Sequence, residues 1–137
     1  MIILVCTDES GGMLFHGRRQ SQDRILRDKI LDLTGDSVLW MNAYSYGQFQ
    51  QEGAKNLRVD EEFLQKAAEG EFCFVEDKPL NLEDERIEGV IRYCWNRTYP
   101  ADLFLDEKKL RARFLLAGRK EFAGYSHEKI TQEVYVR

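Results

Sequence analysis

A chain of 137 residues is long enough to bury one hydrophobic core and too short for two independent cores, so we predict a single domain over residues 1–137. Its 20 basic and 24 acidic residues leave a net charge of −4, which argues against general binding to DNA or RNA because those ligands usually require a basic face. Five of the 20 basic residues fall within residues 17–29, which leaves room for a local basic patch.

The N-terminal residues read as a strand rather than as a targeting signal. Residues 1–9 begin apolar but lack a basic n-region, a long h-region and a cleavage site. No apolar run approaches the roughly 20 residues that a membrane span requires. Cys6, Cys73 and Cys94 stand alone in apolar runs without CxxC spacing, so we expect three small buried side chains in a reducing compartment. These features predict a cytoplasmic protein without a membrane partner.

The first half of the chain alternates between predicted strands and helices. Residues 2–7 form an apolar run typical of a strand that is buried on both faces. Apolar residues recur at helical spacing over 21–33, where Ser21 is predicted to cap the helix N-terminus and Gly35 its C-terminus. Five further elements follow: a strand over 38–45, a short helical turn over 46–51, a brief strand over 56–59, a helix over 61–70 capped by Asp60, and a strand over 71–77.

The second half of the chain is predicted to consist mainly of strands. Residues 78–86 form a polar segment that is compatible with one helical turn, and a strand follows over 87–97. Residues 112–122 and 127–137 then form two long strands whose partial alternation suits a half-exposed antiparallel hairpin, with His127 opening the last strand. This order predicts an α/β sandwich whose mixed central sheet is parallel early and antiparallel at its end.

The order of these elements resembles that of a shortened dihydrofolate reductase, and the similarity runs over almost the whole chain. The collinear segments that carry the resemblance are GGM (11–13), QSQDRIL (20–26), VLWMNAYSYGQF (38–49), EFCFVED (71–77), YPADLFLD (99–106) and FAGYSHEKITQEVYVR (122–137). The resemblance implies a three-layer sandwich with a mixed, mostly parallel central sheet and a C-terminal antiparallel hairpin. It also places Asp23 at the position of the family's substrate-binding carboxylate.

Three positions depart from the family's pattern at its cofactor site. Where the family has paired glycines after the fourth strand, residues 75–77 read VED, and two carboxylates would repel a phosphate. The family's Gly-Arg after the second strand reads NA at 42–43, and Ser45 keeps only a hydroxyl at the neighbouring Thr position. We therefore predict a binding domain that has lost the NADPH-binding glycines. The alternative is a divergent NADPH-dependent reductase that uses Asp23, and NADPH is expected as a cofactor only in that case.

Two segments, 18–23 (RRQSQD) and 93–102 (YCWNRTYPAD), are also similar to those of short bacterial proteins that carry a ribonuclease Z label. Such metallo-hydrolases require a dense histidine-rich ligand set of the HxHxDH type around zinc. This chain has only two histidines, His16 and His127, which lie in distant parts of the sequence. The residues therefore predict no metal site, and an RNA-processing role is kept as a third hypothesis.

The candidate catalytic residues are an acid and an imidazole after the first strand. Asp23 lies beside Arg19 and Arg24 near a helix N-terminus, and these neighbours favour the ionised carboxylate and lower its pKa. Asp23 is thus predicted to bind a planar amidine-like group of a ligand through hydrogen bonds, with His16 as its acid–base partner. Ser21 lies near His16, but the elbow motif of Ser-His-Asp hydrolases is absent. The simpler interpretation is that Asp23 only stabilises the first helical turn.

Polar side chains around this acid are predicted to bind the ligand. Guanidinium groups bind phosphates or carboxylates through paired hydrogen bonds, and amide or hydroxyl groups form hydrogen bonds with the polar atoms of a ligand. The predicted ligand-binding residues are Arg18, Arg19, Gln20, Gln22, Arg24 and Ser45. Solvation, or pairing with nearby acids, is the simpler interpretation of arginines beside a turn.

A second candidate surface is the aromatic segment 93–102, which contains Tyr93, Trp95 and Tyr99. Aromatic rings of this kind stack on a nucleobase or on a proline of a partner, although packing beneath a helix is the simpler interpretation. The expected partners are therefore a small planar ligand or nucleotide, or a protein. A protein partner would predict an exposed apolar patch around Trp95.

Overall fold

The computed structural model describes all residues, 1–137, and contains four α-helices and ten strands. The helices are α1 (Arg24–Thr34), α2 (Ala43–Phe49), α3 (Phe63–Lys66) and α4 (Glu107–Arg113), with a short 3-10 helix at Gln50–Glu52. The strands are β1 (Ile2–Thr7), β2 (Gly12–Phe15), β3 (Arg18–Arg19), β4 (Leu39–Met41), β5 (Leu57–Val59), β6 (Phe72–Val75), β7 (Gly89–Cys94), β8 (Leu103–Phe104), β9 (Leu115–Phe122) and β10 (Ile130–Val136). None of the helices has the length and apolar character needed to cross a bilayer.

Seven strands form the main sheet in the order β5-β4-β6-β1-β7-β10-β9. The first five of these run parallel to one another, whereas β10 is antiparallel to both β7 and β9. The predicted α/β class is therefore confirmed, as are the mixed, mostly parallel sheet and the antiparallel hairpin at the C-terminus. Three further strands form a separate antiparallel sheet in the order β3-β2-β8.

Alternating side chains of the central strands build two cores, one on each face of the main sheet. On β1, Ile3 and Val5 belong to a core that contains Phe63 of α3 and Leu110 of α4. Leu4, between them, belongs to the opposite core with the apolar residues of α1 and α2. The sheet is thus covered on both faces, which gives the predicted three layers and explains why its central strands read as continuous apolar runs.

The structure corrects three element boundaries, and in two of them a side-chain cap decides where a helix begins. The strand predicted over 38–45 stops before Asn42, whose side-chain oxygen accepts a hydrogen bond from the Ser45 N–H at 3.1 Å and thereby caps α2. Helix α1 is capped by Asp23 rather than by Ser21, so its N-cap lies two residues later than predicted. The last strand likewise begins after His127, which lies in the preceding turn.

Several shorter elements also differ from the sequence-based prediction. The sequence pattern predicts no helix over 107–113, yet these residues form α4, whose only buried side chain is Leu110. A helix with one buried residue leaves almost no periodic apolar signal. The helix predicted over 61–70 is shorter, and 78–86 contains no helix.

The three cysteines are free, but only Cys73 is fully buried. Burial raises the pKa of the Cys73 thiol to about 12. Cys6 and Cys94 are partly exposed, so the prediction of three buried side chains is wrong for these two.

Candidate functional site

The β2–β3 hairpin is attached to the main sheet where the parallel strands end. Asp8 follows β1, and its carboxylate accepts hydrogen bonds from the Gly12 N–H at 2.8 Å and from the Gln20 side chain at 3.2 Å. Glu76 follows β6 and forms an ion pair with Arg19 of β3 at 3.0 Å. Open α/β sheets bind ligands at the carboxyl ends of their strands, so this hairpin stands at the expected end of the sheet.

The hairpin turn holds an imidazole in an uncommon backbone conformation. Phe15 pairs with Arg18 across the hairpin, and the two turn residues between them, His16 and Gly17, have φ angles of 50° and 73°. Two consecutive positive φ angles define a type I′ turn, for which Asn-Gly is the preferred sequence. The His16 ring stacks on the Phe15 ring, with 3.9 Å between the ring centroids. This turn therefore carries a stacked pair of rings at its tip.

A cavity of about 480 Å³ lies between the hairpin and residues 99–100. Its lining consists of Phe15, His16, Arg18, Arg19, Gln20, Tyr99 and Pro100. Four of these were singled out in the sequence as candidate site residues, namely His16, Arg18, Arg19 and Gln20. The structure thus brings together a basic and polar cluster with aromatic rings.

The two arginines of the cavity differ in their pairing. The Arg19 guanidinium donates two hydrogen bonds to Glu76, at 3.0 and 3.2 Å, and lies 4.4 Å from the centroid of the Tyr44 ring. The Arg18 side chain is exposed and has no carboxylate within ion-pairing distance. Arg19 is therefore held in place by the protein, whereas Arg18 presents an unpaired positive charge.

Gln20 lines this cavity and is held by hydrogen bonds to the protein. Its amide nitrogen donates to Asp8 at 3.2 Å and to the Pro100 carbonyl at 3.4 Å, whereas its carbonyl oxygen is buried and has no hydrogen-bond partner. A buried unsatisfied acceptor costs about 1–3 kcal/mol, and because this oxygen is shielded from solvent it does not face a ligand in the cavity.

Asp23 does not line this cavity, because its carboxylate is enclosed by the turn that precedes β10. One carboxylate oxygen accepts the N–H groups of Ile25 at 2.9 Å and Tyr125 at 3.0 Å. The other accepts the Ser126 N–H and the His127 Nδ1–H, both at 2.9 Å. The Asp23 side chain has no exposed surface, so a ligand has no access to it in this conformation.

These donors set the ionisation of Asp23. Burial alone would raise the pKa of this carboxyl, but the hydrogen bonds from the Tyr125 N–H, the His127 ring and the Ser126 N–H outweigh it and lower the pKa below its usual range. An ionised carboxylate can only accept hydrogen bonds, so the hydrogen of the neutral imidazole lies on Nδ1. The other ring nitrogen, Nε2, lies 2.9 Å from Ser21 Oγ.

The predicted pairing of His16 with Asp23 is wrong. His16 lies at the hairpin tip, where its backbone N–H donates to Asp102 at 3.1 Å. The histidine that meets Asp23 is His127, from a turn 104 residues further along the chain. A contact over this sequence separation leaves no local pattern, so sequence reasoning could not identify it.

The other predicted ligand-binding residues also lie away from the cavity. Gln22 is exposed and accepts a hydrogen bond from Arg27 at 3.2 Å, and the exposed Arg24 lies 5.9 Å from the centroid of the Tyr125 ring. Ser45 is buried, and its hydroxyl has no hydrogen-bond partner.

The aromatic segment divides between the core and the cavity. Tyr93 and Trp95 are buried, and Trp95 stacks on His127 with 4.6 Å between the ring centroids. The expected exposed apolar patch around Trp95 is therefore wrong, since this side chain is only 3% exposed. Tyr99 is the one aromatic side chain of this segment that reaches the cavity.

Comparisons with known proteins identify the fold. No model of a protein family and no curated protein matches the sequence. The structure is similar to that of a dihydrofolate reductase from Enterococcus faecalis complexed with NADP(H) and RAB-propyl, with a TM-score of 0.64 and 10% sequence identity. The match covers 99% of this chain and 95% of that chain. The chain therefore has a dihydrofolate reductase-like fold, as its sequence resemblance predicts.

Replacing Asp23 by Asn tests the structural role of this carboxylate. In Asn an NH₂ group replaces one carboxylate oxygen and cannot accept the hydrogen bonds that Ser126 and His127 donate to that oxygen. We therefore expect Asp23→Asn to lower the free energy of unfolding by about 1–3 kcal/mol at neutral pH. The pKa of Asp23 is lower in the folded than in the unfolded state. Its stabilisation is therefore complete above about pH 4 and declines as the pH falls below that value. Asp23→Asn should remove this part of the acid dependence.

Urea denaturation at a series of pH values measures both effects. The matched control is Asp28→Asn, which changes an exposed acid on the same helix. If the two variants have equal stabilities and equal acid slopes, the Asp23 carboxylate does not join the helix to the turn.

Proposed function

We propose that this domain binds a small planar anion, such as a mononucleotide, in the cavity between the β2–β3 hairpin and residues 99–100. The observation that carries the proposal is the unpaired charge of Arg18 beside the rings of Phe15, His16 and Tyr99. A guanidinium group binds phosphate oxygens bidentately, and aromatic rings stack on a nucleobase for about 1–3 kcal/mol per base. The same cavity therefore offers both chemistries that a nucleotide needs.

The size and polarity of the cavity support this ligand class. Its volume of about 480 Å³ falls within the range of about 300–1,000 Å³ that is typical of small-molecule sites. Its lining includes the charged Arg18 and the polar Gln20 beside the rings of Phe15, His16 and Tyr99. Arg19 is tied to Glu76, so its main contribution is to fix β3 and keep the wall of the cavity in place.

A dinucleotide cofactor fits the end of the parallel sheet poorly. The similar reductase was solved with NADP(H), but in this chain Glu76 and Asp77 follow β6 directly. Asp77 accepts a hydrogen bond from Asn42 at 2.8 Å, so both carboxylates are held at that end of the sheet. Arg19 pairs with Glu76, but Asp77 has no cationic partner, so a pyrophosphate placed there would meet an uncompensated negative charge, which supports the proposal that the NADPH-binding site has been lost. A divergent reductase that uses Asp23 remains the alternative, and only the fold favours it.

Two further alternatives make distinct predictions. An RNA-processing role would make RNA binding salt-sensitive and dependent on Arg18. A protein-binding role would involve exposed apolar side chains, of which Leu115 and Tyr125 are the most exposed in this structure. We place the domain in the cytoplasm as part of the same proposal, since its free thiols suit a reducing compartment.

A titration followed by ¹H–¹⁵N NMR tests the proposed site. We expect AMP to shift the amide signals of residues 15–20, Tyr99 and Ala101 and to bind more tightly than adenosine or inorganic phosphate alone. Arg18→Gln should weaken AMP binding about tenfold or more, because one charge-assisted contact is lost. Arg113→Gln, at an exposed position on α4, is the matched control and should leave the affinity unchanged.

The same titration separates the alternatives. Signals that remain unchanged at millimolar AMP, or that shift only elsewhere, would contradict the proposed site. NADPH binding that is enhanced by a folate analogue and lost in Asp23→Asn would favour the reductase instead. Tight RNA binding that weakens with salt would favour the third hypothesis.

Replacing His16 by Asn separates the turn from the site. Asn is preferred at the first position of a type I′ turn, so we expect His16→Asn to raise the free energy of unfolding by up to about 1 kcal/mol. AMP binding should weaken at the same time, because the stacked imidazole is removed. Thermal unfolding and the NMR titration measure the two effects. Unchanged AMP affinity would exclude the His16 ring from the site.

A further inference from the structure

Three side chains from two distant parts of the sequence form a continuous hydrogen-bonded chain outside the cavity. Ser21 Oγ lies 2.9 Å from His127 Nε2, and His127 Nδ1 lies 2.9 Å from a carboxylate oxygen of Asp23. Because Asp23 caps α1, the hydroxyl of Ser21 is left free to face the imidazole. The order hydroxyl, imidazole, carboxylate is that of a Ser-His-Asp triad, in which the roles follow from geometry and not from sequence position.

The direction of the hydrogen bonds gives each group the role that nucleophilic catalysis requires. The ionised Asp23 accepts the hydrogen of His127 Nδ1, which fixes the tautomer of the neutral ring. Nε2 then carries a lone pair, and the only hydrogen available between it and Ser21 Oγ is the hydroxyl hydrogen. His127 is thereby placed to take a proton from Ser21.

The surroundings hold this arrangement rigidly at one end and leave it open at the other. The side chains of Asp23 and His127 are 0% and 3% exposed, and Trp95 stacks on the imidazole. A Cβ atom at Gly124 would lie 2.6 Å from the carboxylate, so the turn approaches Asp23 as closely as a glycine permits. Ser21, by contrast, is only partly buried.

Backbone donors lie next to the serine in the sequence. The N–H groups of Gln22 and Arg24 donate to no acceptor in the protein, which leaves them available to a developing negative charge on an oxygen. They belong to the residues that enter α1, where the partial positive charge of the helix also favours an anion.

We propose that Ser21 is the nucleophile of an acyl-transfer site that acts on small carboxylic esters. Ser21 Oγ bonds to the ester carbonyl carbon while its proton passes to His127 Nε2. The bond from that carbon to the leaving oxygen then breaks, and His127 returns the proton to the released alcohol. Water, deprotonated by the same nitrogen, hydrolyses the acyl-serine and restores the hydroxyl. Asp23 is a positioning residue, since it acts only through the imidazole.

Labelling of the full chain with a fluorophosphonate probe, followed by peptide mass spectrometry, tests this proposal. We expect phosphonylation at Ser21 to be faster than at any other serine, with release of fluoride, and to be absent in Ser21→Ala. The matched control is Ser37→Ala, which removes a hydroxyl that donates to the Gly70 carbonyl, and it should leave the labelling unchanged. Hydrolysis of p-nitrophenyl acetate should follow the same pattern.

His127→Asn separates catalysis from folding. Its amide nitrogen can replace Nδ1 as the donor to Asp23, but it has no counterpart of Nε2, so the protein should remain folded while labelling falls at least about 100-fold. In Asp23→Asn we expect the imidazole to shift towards the Nε2–H tautomer, which ¹⁵N NMR detects, and the labelling rate of Ser21 in the folded variant to fall with it, which a merely structural role would not predict. Labelling spread equally over the serines of the unmodified protein, or labelling that persists in His127→Asn, would overturn the proposal.

Discussion

The buried charge of Asp23 is the interaction on which the arrangement of this domain depends. An isolated carboxylate without hydrogen bonds could not be kept ionised in the interior, so its burial requires donors. Those donors come from the first turn of α1 and from the turn before β10, two parts of the chain that meet only in the folded protein. The helix on one face of the sheet and the C-terminal hairpin are consequently fixed to the same atom pair.

Because the protein's own donors occupy Asp23, this dihydrofolate reductase-like fold does not present the carboxylate to a ligand. The sequence resemblance assigns Asp23 to the position of a substrate-binding acid, whereas the structure surrounds it with protein donors. The exposed cation and rings lie instead at the β2–β3 hairpin. A fold is a scaffold on which sites are changed residue by residue, and in this chain the accessible functional groups are those of the hairpin cavity and Ser21.

The predictable parts of the fold are those in which apolar residues recur at regular spacing within a short stretch of sequence. Runs such as 2–7 and 72–75 are apolar because both faces of the central strands are buried, and α1 has a clear helical period. Helix α4 could not be predicted, since only Leu110 is buried on it. The cap of α1 was misassigned because Ser21 and Asp23 are both good capping residues, and only their contacts with the turn before β10 separate them.

The candidate site was predictable to a similar degree. Arg18, Arg19 and Gln20 are close in sequence and stay together in the cavity because β3 holds them. The partner of Asp23 was not predictable, since His127 reaches it only through the register of the last two strands. The sequence contains two histidines and does not indicate which of them the fold brings to the acid.

Native-state hydrogen exchange of the Tyr125 and Ser126 amides tests the central claim most directly. Both residues lie outside the strands, where exchange is ordinarily fast, yet both N–H groups donate to the buried Asp23 carboxylate. We predict that they exchange as slowly as the interior amides of β10. Exchange at the rate of an exposed loop would contradict the account, because the turn would then be open and Asp23 would be accessible to a ligand.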